Sequence, residues 1–163
     1  MNIDTQTVRR LRDALIDSGR LTAAGGTGAS DAAINRVVPF VETMYLVMVA
    51  DGHDDEDEIA VIRGAMRTLA GDSLADADFD GLLRDCGERL QAQGVQGRLL
   101  AIGPRIGGDR LERETGFSLA AAVALADHRV AAEESSLLAS IAEWYGLSTR
   151  RSQEILRQFD NRH

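Results

Sequence analysis

The chain has 163 residues and a mass of 17.6 kDa, the size of one ordinary domain, and its 44% apolar and 27% charged residues exclude a disordered or fibrous class. Its 18 basic residues against 26 acidic ones leave a net charge of −8, which argues against nucleic acid as a partner, because such binders need a basic footprint. A single cysteine, Cys86, excludes a disulfide framework or a Cys-rich zinc site, and the absence of Lys excludes Schiff-base chemistry and a phosphate-loop lysine.

Alternating β-branched runs are missing and the helix formers Ala, Leu, Arg and Glu dominate, so the chain reads as all-α. The start, Met1 to Thr5, shows no cationic stretch ahead of an apolar core, so no signal peptide is expected. Thr5 to Asp17 carries Val8, Leu11, Ala14 and Leu15 at helical spacing, and Gly19 ends it. Residues 20–30 are Gly-rich. Without a lysine or a preceding strand they read as a connector rather than a phosphate cradle. Asp31 is expected to cap a helix running to about Ala50. From Val37 onward only Glu42 and Thr43 are polar in it, so it should be largely buried. Glu42 reads as a marginally exposed position; a functional acid or the partner of an Arg are the other readings.

The next helix runs from about Asp55 to Ala70, with Ile59, Ile62, Met66 and Leu69 on one face. Asp76 to Gln93 gives another, whose stripe holds Phe79, Leu82, Leu83, Cys86 and Leu90, which makes the thiol a buried and inert one. Leu99 to Ile106 is a short piece punctuated by Gly103 and Pro104. Asp109 opens a long helix to Ala126. It contains the longest apolar run, Leu119 to Ala126, eight residues, against about twenty for a membrane span. Ala131 to Tyr145 follows, stopped by Gly146, with Trp144 and Tyr145 read as core. Ser148 caps a last helix to about Asn161. The expected architecture is a single-domain bundle of seven or eight helices, cytoplasmic, with no transmembrane segment.

Two segments align when the chain is displaced by 76 residues. Leu46 to Glu58 and Ala122 to Glu134 each read as an apolar helix, then Ala-Asp, six residues, and Glu at the start of an amphipathic helix. The unit is helix, acidic turn, helix, used twice. One reading of the turn is structural. Asp55 and Glu58 have the spacing of a capping box, and acids suit the positive end of a helix dipole. The second copy lacks such a cap, since Ala131 stands there, yet it keeps Asp127 and Glu134.

The other reading is a cation site. Asp51, Asp54, Asp55, Glu56, Asp57 and Glu58 place six carboxylates in eight residues, and their mutual repulsion is relieved by counter-charge. Hard cations such as Ca²⁺ or Mg²⁺ take oxygen ligands of this kind, and His53 would add a nitrogen for Zn²⁺ or Mn²⁺. The spacing is not that of an EF-hand, because the twelfth residue from Asp51 is Ile62. Asp127 and Glu134 form a thinner second site with Arg129 beside them.

Ala50-Asp51-Gly52 with Glu58, repeated as Ala126-Asp127 with Glu134, resembles the TerB-like tellurite-resistance family over about Asp31 to Gly146. The resemblance implies an all-helical domain with an internal duplication, here residues 31–70 and 107–146, preceded by the N-terminal helix and Gly-rich loop of residues 1–30. It implies a place in the cytoplasm or at the inner membrane face, an association with resistance to tellurite and other stresses, and no catalysis. It also implies metal binding by the acidic residues. His128 in place of the second Gly, and Ala131 in place of a capping residue, depart from the family pattern.

Catalytic constellations are sparse. The histidines are His53, His128 and His163, and no nucleophile-elbow motif surrounds Ser135 or Ser136. Arg9, Arg10 and Arg12, with Arg150, Arg151, Arg157 and Arg162, read as solvated helix faces or as docking charges for an anionic partner. A protein partner, with the acidic residues serving as caps and docking charges and no metal, is the alternative to the cation reading.

Overall fold

A computed structural model of the chain describes residues 9, 29–50, 52, 56–70, 75–106, 109–126 and 132–160. Their regular structure is six α-helices and one 3₁₀ turn. The helices are α1 (Ala29–Met48), α2 (Glu56–Ala70), α3 (Asp76–Ile102), α4 (Arg110–Ala124), α5 (Ala132–Trp144) and α6 (Thr149–Asp160), with the 3₁₀ turn at Gly103–Arg105. No strand occurs among the described residues. None of their helices is long and apolar enough to cross a membrane. Apart from Arg9, which is helical, the expected helix over Thr5 to Asp17 lies outside the described residues.

Two helices make the centre. α1 packs on α2, α3, α4 and α5, and α4 packs on α1, α2, α5 and α6. This follows from their sequences. α1 buries Val37, Phe40, Val41, Met44, Val47 and Met48 on one face and Val38, Glu42, Thr43 and Leu46 on the others, so every side of its second half meets protein. α4 carries the small run Ala120, Ala121 and Ala122, which lets neighbouring helices come close. Gly116 serves the same end, since a Cβ there would stand 3.1 Å from the Tyr145 ring. α6 is tied to α4 by Arg151, whose Nε and Nη2 donate to the two oxygens of Glu114 at 2.9 and 2.7 Å. Such bidentate charge-assisted pairs hold orientation as well as distance.

Pro39 lies inside α1. It has no N–H, so the Asn35 carbonyl one turn back loses its helical partner. Arg105 Nη2, from the 3₁₀ turn, donates to that carbonyl at 3.2 Å. The 3₁₀ turn thus supplies the hydrogen bond that Pro39 cannot.

Several boundaries follow the sequence signals. Asp109 caps α4, accepting from the Leu111 N–H at 2.9 Å. Ser148 Oγ accepts from Arg151 N–H at 3.2 Å ahead of α6. Gly146 takes φ +66° just past α5, the left-handed conformation that ends helices.

Other expectations need correction. α1 begins at Ala29, so Ala29 and Ser30 belong to the helix rather than to the Gly-rich loop. Asp31 is the third residue of the helix rather than its cap. The expected helix Asp76–Gln93 ends where the structure breaks: Gly94 (φ 70°, ψ 170°) kinks α3 into two helical stretches, the second of which runs to Ile102, so the expected short piece Leu99–Ile106 begins earlier than its range and its remainder lies in and after the 3₁₀ turn. Trp144, expected in the core, is 44% exposed, while its neighbour Tyr145 is buried. One hundred degrees of helical rotation separate adjacent residues, so a Trp-Tyr pair at a helix end does not share one face.

The two halves carry the same burial register. α1 ends at Met48 and α4 at Ala124, while α2 starts at Glu56 and α5 at Ala132; each pair is 76 residues apart. The buried residues of α2 are Glu58, Val61, Ile62, Ala65, Met66 and Leu69. Displaced by the same interval they become Glu134, Leu137, Leu138, Ile141, Ala142 and Tyr145, all buried as well.

Candidate functional site

The acidic turns leave their helices in the same way. After α1, Val49 N–H donates to Tyr45 O and Ala50 N–H to Val47 O, both at 3.1 Å. After α4, Leu125 N–H donates to Ala121 O at 3.1 Å and Ala126 N–H to Val123 O at 2.9 Å. Gly52 then turns the chain with φ +79°, a conformation glycine adopts without strain.

Of the expected site residues, Asp51, Asp54, Asp55 and Asp127 lie outside the described residues, as do His53, His128 and His163. Asp57 is exposed in the first turn of α2. Glu58 and Glu134 are each the third residue of their helix, and both are buried, at 4% and 3% exposure. Each is held by contacts of its own. A buried carboxylate needs compensation, and the free N–H groups and positive dipole end of a helix's first turn lie nearby at this position. Among the described residues no three His, Cys, Asp or Glu side chains gather into a cation site.

A second polar centre lies between α1 and α3. Glu42, expected at a marginally exposed position, is fully buried. Arg98 donates to it from Nε at 2.5 Å and from Nη2 at 3.0 Å, and also reaches Gln93 Oε1 from Nη1 at 2.8 Å. Arg89 Nε stands 3.5 Å from the same carboxylate. The Arg-partner reading of Glu42 is therefore the one observed. A pattern signal existed: Arg98 precedes the buried Leu99 and Ile102 on the inward side of α3, and a charge on an apolar stripe calls for an opposite charge on the facing one.

Next to this pair, Thr43 Oγ1 donates to Pro39 O at 2.7 Å. Its single proton is used there, so the Tyr145 hydroxyl donates to Thr43 Oγ1. Burial raises the Tyr145 phenol above its ordinary range. Burial, with the Glu42 carboxylate adding to it, pushes the Cys86 thiol up to about 11. A thiol held there is uncharged at neutral pH and a poor nucleophile. The cluster ties α1 to α3 and α5, and its groups are occupied with one another.

No family model matches the chain, and no curated protein or solved structure shows a match to it.

Proposed function

We propose that the chain is a non-catalytic TerB-like protein of the tellurite-resistance and stress-response kind, whose acidic turns bind a divalent cation. Asp51 and Glu58, with Asp54, Asp55 and Asp57, would serve the first site, and Asp127 and Glu134 the second. The observation that carries this reading is the shared register of the two halves, with a buried glutamate at the third position of α2 and of α5. That register supports an internal duplication of helix, acidic turn and helix. In this reading the glutamate at the same point of both copies anchors each acidic turn to its helix. The six carboxylates of the first copy favour a hard cation such as Ca²⁺, Mg²⁺ or Mn²⁺, and His53 would admit Zn²⁺. The protein would act in the cytoplasm, or at the inner membrane face through a protein partner.

The second reading is a metal-free interaction module. Glu56 and Asp57 favour it, since both point into solvent at the start of α2, where docking charges would stand. Titration calorimetry on chelator-treated protein separates the two. The cation reading expects saturable heat with one of Ca²⁺, Mg²⁺, Mn²⁺ or Zn²⁺, lost in Asp51→Ala. The docking reading expects no such heat, and partner capture that fades as salt rises.

A further inference from the structure

We draw no further inference here: the strongest candidate, the apolar groove between α5 and α6 walled by Phe117, Leu138 and Leu156, carries none, because residues 127–131 adjoin its edge and lie outside the described residues, so nothing in the structure shows what covers it.

Discussion

Glu42 of α1 and Arg98 of α3 form a two-point ion pair, at 2.5 and 3.0 Å, with both side chains withdrawn from water. Removing one partner of such a pair leaves the other buried and uncompensated, which costs about 3–5 kcal/mol. Glu42→Ala is therefore expected to lower unfolding free energy by that order in urea titration. Replacing both partners with Glu42→Leu and Arg98→Met should cost clearly less than the sum of the single changes. A Glu42→Ala protein within 1 kcal/mol of wild type would show that the pair does not hold the α1–α3 interface (~3 kcal/mol being the least expected).

Acid should loosen the α4–α6 contact through Glu114. The Arg151 guanidinium bonded to it, with Arg110 adding to the effect, holds its carboxyl down at about 2 against an ordinary 4.5. A carboxyl depressed in the folded state contributes stability that is fully present above its unfolded value and is lost as pH falls towards the folded one. The window is therefore pH 4.5 down to about 2, and the contribution is at most about 3 kcal/mol. Glu114→Gln should be less stable than wild type at pH 7, with the gap closing across that window. Urea midpoints measured from pH 7 to 2 check this; parallel curves would show that the pair contributes no pH-dependent stability.

Arg105 supplies the hydrogen bond that Pro39 denies to the Asn35 carbonyl. Arg105→Ala should cost about 0.5–1.5 kcal/mol in the wild-type background. In a Pro39→Ala background the helix has its own N–H for that carbonyl, so the same substitution should cost less. A double-mutant cycle measures the difference. A zero coupling term would separate the two residues.

Gly94 breaks α3 with φ 70° and ψ 170°. A Cβ there would touch nothing within 4 Å, so any penalty in Gly94→Ala is backbone strain alone. The expected cost is about 1–3 kcal/mol. A variant at least as stable as wild type would mean that α3 runs straight through this point.

Much of the helical layout was legible because its signals are local. Asp109, Ser148 and Gly146 act within one turn of themselves, and the 3-4 spacing of Ile62, Met66 and Leu69 follows from the helix repeat alone. What escaped depends on distance along the chain. Glu42 finds its partner 56 residues away in Arg98, and no window around Glu42 contains that information. Pro39 leaves the Asn35 carbonyl without its helical partner, and the group that replaces it, Arg105, is 70 residues from Asn35 along the chain. The helix end at Gln93 was legible and holds, since the chain breaks at Gly94, but the second helical stretch that follows it depends on packing of Leu99 and Ile102 in the core. At the acidic turns the repeat of Glu58 as Glu134 was visible in the letters, and the burial of both could not be read from letters that look like helix caps. The residues that would complete each turn, Asp51 and Asp127 first among them, lie outside the described part of the chain.

The cation reading is tested most directly by a thermal melt of chelator-treated protein with Ca²⁺, Mg²⁺, Mn²⁺ and Zn²⁺ in turn, with Asp51→Ala and Asp127→Ala beside the wild type. A ligand that binds only the folded chain raises its melting temperature in step with concentration. The expected result is an upward shift with one cation, abolished in Asp51→Ala and reduced in Asp127→Ala. A flat response to all four cations, or a shift that survives in both variants, would contradict a metal role for the acidic turns.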